Sequence, residues 1–290
     1  MTAIYEKERL REVRFPLGGL GAGNVSLAGN GALVDWEQAG VANKGTYNGF
    51  THFAIKAERD GVLLDARALL ADAPGPRTGR LEDGCRNAGY GFGPNRHSCL
   101  GMPHFETARM QVDFPFAQLA LSGAPFPGVV QLTAFSPFIP LDAERSGLPA
   151  AFFTWQVENT SEQRLTYTLA FSAANPFAVT GAVNRRQGDS LVLEGPAAWR
   201  RQTRWGALAL SAPSERTEDL QVQTHWYRGN WFDGLSVFWR NFTSGRLEER
   251  DYPPDGALGQ EREADMATLA TAFTLEPGQR KSVRFLLSWY

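Results

Sequence analysis

Glycines that could form a phosphate-binding loop lie near the N-terminus, at Gly18, Gly19, Gly21 and Gly23. A dinucleotide-binding loop needs a buried strand, a Gly-x-Gly-x-x-Gly run and a helix whose N-terminus faces the pyrophosphate. Here a proline precedes the loop, the last glycine of the run is missing, and the alternating segment that follows predicts a strand. No Gly-Lys-Ser/Thr of a Walker A loop is present. The pattern favours a backbone role, in which glycines supply positive φ angles or let another backbone approach closely.

Histidines and cysteines offer a second chemistry, a zinc site built from Cys85, His97, Cys99 and His104. Their spacing, C-x11-H-x-C-x4-H, matches none of the common zinc sites, so structural or incidental roles are favoured. Two cysteines cannot form a disulfide framework, and we expect free thiols. No serine or cysteine lies in a Gly-x-Ser-x-Gly elbow. The sequence therefore predicts no metal ion, no cofactor and no nucleophile.

A pair of a histidine and a carboxylate, which a sugar mutarotase uses for proton transfer, is a further alternative. His225 or His104 with a distant glutamate could supply one, but no spacing in the sequence singles out such a pair. A mutarotase-like epimerase therefore stays the weaker hypothesis.

Aromatic residues are concentrated in the stretch HWYRGNWFDGLSVFWRNF. Aromatic faces can stack on sugar rings, so Trp226, Tyr227, Trp231 and Trp239 form the candidate substrate-binding platform of a carbohydrate-binding module. The favoured alternative is burial under a neighbouring helix or domain, because aromatic side chains contribute large buried areas.

Composition excludes several protein classes. Hydrophobic residues make up 43% and aromatic residues 12% of the 290 positions, which is enough for a sizeable core. The net charge is −2 and the basic residues are scattered, which argues against a nucleic-acid groove. No apolar run reaches the roughly 18 residues of a membrane span, and the N-terminus lacks the apolar region of a secretory signal. We expect a cytoplasmic protein with no nucleic-acid partner and no transmembrane segment.

The dominant periodicity is two residues, which is typical of half-buried strands. The runs AFFTWQVEN and RLTYTLAFS alternate apolar and polar side chains, and the polar turn NTSEQ between them predicts a hairpin. The same alternation recurs in VVQLTAF, SLVLEG, GALALSA, DLQVQTHWY and TLATAFTLEPGQRKSVRFLLSW. Many short strands with frequent turn residues predict an all-β fold, a large two-sheet antiparallel β-sandwich of the supersandwich type.

One short helix is predicted on the flank of a sheet, starting after Asp233 and ending at Gly245. Four apolar side chains lie there at spacings of three and four, Leu235, Phe238, Trp239 and Phe242. Long loops are predicted over residues 71–104 and 243–264.

The chain divides into two parts on this interpretation. The charged opening KERLREVR predicts a solvated leader over residues 1–13, and residues 14–290 form one β-sandwich domain. The sequence stops within an apolar strand, at VRFLLSWY, and we expect it to be one domain of a longer protein.

Several ordered motifs resemble glycoside hydrolase family 116. FPLGGLGAGNVSLAGNGALVDWEQ is similar to the opening motif of that family, and QVDFPFAQLALSG with SPFIPLDAERSGLPAAFFTWQVEN is similar to its central segment. DGLSVFWRNFTSGRL and the closing LEPGQRKSVRFLLSW resemble its later parts. The match spans residues 14–290, whereas the segment 85–104 departs from the pattern as an insertion.

The resemblance implies the N-terminal β-sandwich of a retaining β-glycosidase. The family includes non-lysosomal glucosylceramidases and bacterial β-glucosidases, whose substrates are carbohydrates and glycolipids. Its catalytic carboxylates lie in a following α/α toroid, so no catalytic residue is carried over to this chain. The expected partner is that C-terminal α/α catalytic domain of the same polypeptide. The expected role is to pack on the toroid and stabilise it, while the parent protein, not this domain, is the enzyme.

Overall fold

The computed structural model describes residues 2–38, 42–72, 96–229, 233–253 and 265–290. The described residues form seventeen strands and two α-helices. The strands are β1 (Ala3–Glu6), β2 (Arg14–Leu17), β3 (Asn24–Ala28), β4 (Leu33–Glu37), β5 (His52–Arg59), β6 (Val62–Ala68), β7 (Thr107–Asp113), β8 (Phe116–Ser122), β9 (Val129–Phe135), β10 (Ala150–Glu158), β11 (Leu165–Ala174), β12 (Val183–Gln187), β13 (Ser190–Glu194), β14 (Ala207–Ser211), β15 (Leu220–Gln223), β16 (Met266–Leu275) and β17 (Arg280–Trp289). The helices are α1 (Ala143–Ser146) and α2 (Gly234–Thr243).

These strands form three sheets. A nine-stranded sheet has the order β1-β7-β8-β9-β10-β17-β14-β13-β12, and a five-stranded sheet has the order β15-β16-β11-β5-β6. The third sheet is small, with the order β2-β3-β4. Every paired neighbour within the sheets is antiparallel. The prediction of an all-β antiparallel sandwich is confirmed.

The main core lies between the two large sheets. In β10, Phe153 and Trp155 point inward, and in β11 so do Tyr167 and Phe171, all of them buried. The ring of Phe53 on β5 stacks on Phe171 with centroids 4.0 Å apart and also contacts Phe153 and Trp155. Burial of such rings is worth about 25 cal/mol per Å² of apolar surface, so these central strands account for much of the driving force for folding.

A second apolar layer covers the opposite face of the five-stranded sheet. Strand β11 is buried on both faces, and its outward residues are small, among them Ala170 and Ala174. Small side chains leave room for α2, which packs Phe238 and Phe242 against this face. The alternation of large and small residues in β11 therefore reflects two different packing layers rather than one buried and one solvated face.

The predicted hairpin between β10 and β11 is wrong. β10 pairs with β9 and β17, whereas β11 pairs with β5 and β16, so residues 159–164 connect the two large sheets. The Pro-Gly connection between β16 and β17 crosses between the sheets in the same way. The buried Asn159 joins the two crossings, because its side-chain amide donates to the carbonyl of Leu275 at 3.0 Å and its backbone N–H donates to that of Gln279. Alternation shows that a strand has one buried face, but not which strand it pairs with.

The predicted helix is confirmed as α2, and Gly245 follows its end with φ +86°. The predicted loops fall partly outside the described residues, at 73–95 and 254–264. In the described parts of the predicted loops 71–104 and 243–264, two features are helical: Thr243, which is the last residue of α2, and a short 3-10 turn at Arg96–Ser98.

The charged opening of the chain belongs to the large sheet. Ala3–Glu6 pairs with β7, and Leu10 is buried in the main core. Tyr5 also packs against that core. Residues 3–10 are therefore part of the sandwich and not the solvated leader that their charge pattern predicts.

Candidate functional site

The glycine loop connects β2 to β3 in the small sheet. Pro16 lies in β2, which is an edge strand and so tolerates a residue without an N–H. Gly21 and Gly23 have φ angles of +73° and +81°. The loop is followed by a strand and not by a helix, so it offers no helix N-terminus to a phosphate. The β3–β4 connection turns at Gly31, which has a φ angle of +93°.

Close backbone contacts explain two of these glycines. A Cβ on Gly19 would lie 2.4 Å from the carbonyl oxygen of Leu148, and one on Gly23 would lie 2.6 Å from that of Glu37. A Cβ on Gly21 would meet nothing within 4 Å, so at this position only the φ angle matters. The backbone N–H of Leu20 donates to the carbonyl of Ser146 at 2.7 Å. Gly19 thus lets the loop lie against the segment that contains α1, and Gly23 lets it lie against the end of β4, which agrees with a backbone role.

A depression of about 490 Å³ lies beside this loop. Its wall includes the loop glycines, Glu37, Phe114, Ser136 and Phe138. The hydroxyl of Ser136 donates to the carbonyl of Pro16 at 3.0 Å and accepts from the N–H of Gly18 at 3.2 Å, which ties the end of β9 to the loop. The depression is therefore built from fixed backbone and aromatic side chains.

Two carboxylates come together around Lys44 at one side of the depression. Its ammonium lies 2.8 Å from Glu37 and 4.0 Å from the buried Asp35. The hydrogen bond from Lys44 holds the pKa of Glu37 below its usual value, and the N–H of Asn43 acts in the same direction. A general acid needs a raised pKa, so Glu37 is configured as an ion-pair partner and not as an acid catalyst.

The histidines do not gather at one place. The ring of His97 packs against Phe50, while His104 contacts the Met102 carbonyl and Asp72 at 2.7 and 2.9 Å. The thiol of Cys99 is buried, and Cys85 lies outside the described residues. Within the described ranges, no group of three or more His, Cys, Asp or Glu side chains could hold a metal ion.

His52 and His225 lie near α2 and Asp265. Burial lowers the pKa of His52 to about 4, and its Nδ1 lies 2.7 Å from the Phe50 carbonyl. Burial also lowers the pKa of His225, although the Asp265 carboxylate opposes that shift. Two carboxylates are thus neighbours of His225: Asp265, which Arg228 holds, and Glu249, which accepts from the Thr224 hydroxyl at 2.7 Å. Proton transfer by a histidine and a glutamate stays a prediction.

The four candidate platform residues do not form one exposed aromatic surface in the described part of the chain. Trp226 is buried, its ring stacks on Phe238 at 4.1 Å, and its N–H donates to Thr268 at 2.7 Å. Trp239 is partly buried against the α2 layer, and Tyr227 is exposed with the guanidinium of Arg250 over its ring. Trp231 lies outside the described residues. Sugar binding by Tyr227, Trp231 and Trp239 stays a prediction.

Two features escaped the sequence analysis. Arg228 makes a two-point ion pair with Asp265, both contacts at 2.7 Å and both side chains largely buried, although 37 positions separate them. No local signal could identify that pair. The second feature is a set of aromatic residues at the polar positions of β8, β9 and β10, of which Phe116 is exposed and Phe135 and Phe152 are half-buried. The exposed Phe114 and Phe138 of the motifs FPF and SPF lie next to β8 and β9 in the chain.

The chain can now be compared with known proteins. No helix in the described segments is long and apolar enough to cross a membrane. No curated protein matches the chain. Two solved structures are similar to it. The first is a "Putative kojibiose phosphorylase from human microbiome", with 12% identity and a TM-score of 0.39, and the match covers 95% of this chain and 30% of that one. The second is a "Polysaccharide Lyase", with 8% identity and a TM-score of 0.36, and the match covers 96% of this chain and 32% of that one. The chain spans about a third of the length of these two proteins.

The family comparison is more specific. Residues 14–290 match the model described as beta-glucosidase 2, glycosyl-hydrolase family 116 N-term. The match covers nearly the whole chain and all three sheets. The chain therefore belongs to glycosyl-hydrolase family 116 and carries the N-terminal domain of that family.

Proposed function

We propose that this chain is a non-catalytic domain that packs on the C-terminal α/α catalytic domain of a retaining β-glycosidase and stabilises it. The parent enzyme is of the β-glucosidase type and acts on β-glucosides, including glycolipids related to glucosylceramide. The observation that carries the proposal is the match of residues 14–290 to the N-terminal domain of family 116.

The chemistry of the buried carboxylates supports a structural role. A retaining glycosidase uses two carboxyl groups about 5–5.5 Å apart, one of which must be protonated to act as the acid. Here Asp265 is paired with Arg228, and Glu215 lies 2.7 Å from the ammonium of Lys281. Both carboxylates therefore serve in ion pairs within the domain.

A comparison of this chain with the full-length protein tests the proposal. Both are assayed with an aryl β-glucoside at equal molar concentration. We expect turnover by the full-length protein and none by this chain. A full-length variant whose toroid carboxylates are replaced is the matched control and should be inactive although it contains the sandwich. Turnover by this chain alone would contradict the proposal.

The stabilising role is tested separately. The catalytic domain is expressed without the sandwich, and its thermal unfolding is compared with that of the full-length protein. We expect a lower unfolding temperature or loss to aggregation, because the surface that the sandwich covers becomes exposed to water. Equal unfolding temperatures and equal activity would show that the sandwich has another role.

A further inference from the structure

Apolar side chains form a row across the outer face of the nine-stranded sheet. The strand register aligns Phe116 of β8 with Phe135 of β9, Phe152 of β10 and Leu286 of β17. Phe135 stacks on Phe152 with centroids 4.5 Å apart, and Phe116 lies 5.7 Å from Phe135. Their neighbours along each strand point into the main core, so this row faces away from it. A solvated sheet face normally carries polar residues at these positions.

Further exposed apolar side chains lie around the glycine loop. Phe114 contacts Phe138 with centroids 5.1 Å apart, and both are exposed. Leu20 at the glycine loop is 62% exposed, and Leu141 just before α1 is fully exposed. We call this surface the rim: Leu20, Phe114, Phe116, Phe138, Ile139 and Leu141. Contiguous exposed apolar patches of this kind are uncommon on isolated domains and mark interaction sites.

Leu141 is unusual in a second respect. Its φ angle is +66°, a left-handed conformation that is uncommon for a bulky residue. The side chain is fully exposed, so no packing within the described residues compensates for this conformation. The turn holds it in place: the Asp142 N–H donates to the Ile139 carbonyl at 3.0 Å, and the Ser146 hydroxyl bonds both backbone groups of Ile139. An apolar side chain presented outward by a rigid turn fits a contact with another surface.

The rim also lies beside the end of β17. The indole N–H of Trp289 donates to the carbonyl of Ala22 in the glycine loop at 2.6 Å. The backbone N–H of Trp289 donates to the carbonyl of Pro149. Tyr290 is exposed there.

We propose that the rim is the surface on which the C-terminal catalytic domain of the same polypeptide docks, with one of its apolar side chains entering the depression between the glycine loop and Phe138. This inference rests on the proposed function. It commits to that occupant because the rim is apolar and exposed and because the chain carries the N-terminal domain of family 116. The exposed apolar strand β6, with Val62 and Leu64, belongs to the other large sheet and offers a matched comparison.

The test uses the full-length protein with a specific protease site inserted after Tyr290. After cleavage, size-exclusion chromatography shows whether the two pieces remain together. We expect the unmodified pieces to elute as one complex and the double variant Leu20→Ser/Leu141→Asn to separate, with an apparent dissociation constant raised at least tenfold. The control Val62→Ser/Leu64→Ser should remain a complex. Circular dichroism of each variant before cleavage checks that the sandwich is folded.

The outcomes distinguish the two proposals. If the unmodified pieces separate on cleavage, the packing role itself is contradicted. If they stay together and the rim variant stays together equally well, docking occurs but not on the rim, and only the present inference is overturned. Hydroxyl-radical footprinting of the unmodified full-length protein gives a second test without substitutions. We expect Leu20, Phe114 and Phe138 to be oxidised at least fivefold more slowly than Val62, and equal rates would overturn the inference.

Discussion

Two apolar clusters in this sandwich contain aromatic side chains and have opposite environments. The covered cluster, Trp226, Phe238 and Phe242, lies between α2 and the five-stranded sheet and is buried. The rim lies on the outer face of the nine-stranded sheet and around the glycine loop, and it is exposed. Each sheet thus has an inner face in the main core and an outer face with apolar side chains. Only one of those outer faces is covered by a helix of the described chain.

The difference shows why composition misleads about function. The stretch that contains the covered cluster is the richest in aromatic residues and suggests a sugar platform, yet its buried rings of Trp226, Phe238 and Phe242 stack on each other inside the domain. The rim residues are scattered among proline-containing turns, and although they lie within the family motifs, nothing in the sequence shows that they are exposed. Exposure, which decides whether a ring can meet a partner, depends on which elements pack over it.

The largest loss of stability is expected from Trp226→Ala in the covered cluster. The substitution removes a fully packed indole and its hydrogen bond to Thr268, and we expect the free energy of unfolding to fall by about 3–5 kcal/mol. Denaturant unfolding of this chain measures the change. Trp239→Ala on α2, which packs against the same apolar layer, is the matched control, and because Trp239 is only partly buried it should cost markedly less.

Equal and small losses for the two tryptophans would contradict the distinction between the clusters. A loss of sugar binding by Trp226→Ala without loss of stability would restore the platform hypothesis. Isothermal titration calorimetry with gluco-oligosaccharides at millimolar concentration makes that comparison.

The covered cluster should also make the stability depend on pH through His52. Its pKa is about 4 in the folded chain, against 6.5 for an unburied histidine. Between those values the unfolded chain takes up a proton that the folded chain excludes, so stability is lost as the pH falls from about 6.5 to 4. The loss attributable to this group is about 3 kcal/mol, at 1.36 kcal/mol for each unit of pKa difference.

His52→Leu isolates that contribution. We expect the free energy of unfolding of the variant to fall less steeply between pH 6.5 and 4 than that of the unmodified chain, when both are measured by denaturant titration in matched buffers. If the free energies of unfolding of the variant and the unmodified chain depend on pH in the same way, His52 is protonated in the folded state and its surroundings are more polar than its burial implies.

The sequence predicts the strands of this fold better than their pairing. Val129–Phe135 and Ser190–Glu194 lie within the predicted alternating runs, because period two is a local property. The crossing at residues 159–164 is not local, since a hairpin and a connection between sheets use similar polar turns. The ordered family motifs identified the domain. The rim could not be identified from the sequence, because the exposure of its residues depends on which elements cover each sheet face. The ion pair of Arg228 and Asp265 depends in the same way on distant segments that meet only in the folded chain.

The glycine loop at the base of the rim allows a smaller, graded test. Gly21→Ala forces a side chain into φ +73° in open space, which should cost about 1–2 kcal/mol. Gly23→Ala adds contact with the Glu37 carbonyl and should cost about 1 kcal/mol more, because overpacking strain is added to the conformational cost. Thermal unfolding of both variants measures which substitution lowers the melting temperature more. Unchanged melting temperatures in both would contradict the backbone role of these glycines.

The smallest expected effect, and the one of opposite sign, concerns Leu141 in the rim. Asparagine tolerates the left-handed conformation better than leucine, and no buried contact is lost at this position. Leu141→Asn should therefore leave the free energy of unfolding of this chain unchanged or raise it by up to about 1 kcal/mol. Leu69→Asn, at a buried leucine of the main core, is the matched control and should destabilise strongly. A substantial loss for Leu141→Asn would mean that the leucine already packs within the domain. A neutral result combined with weaker docking of the cleaved full-length protein would show that this side chain stabilises an interface and not the sandwich itself.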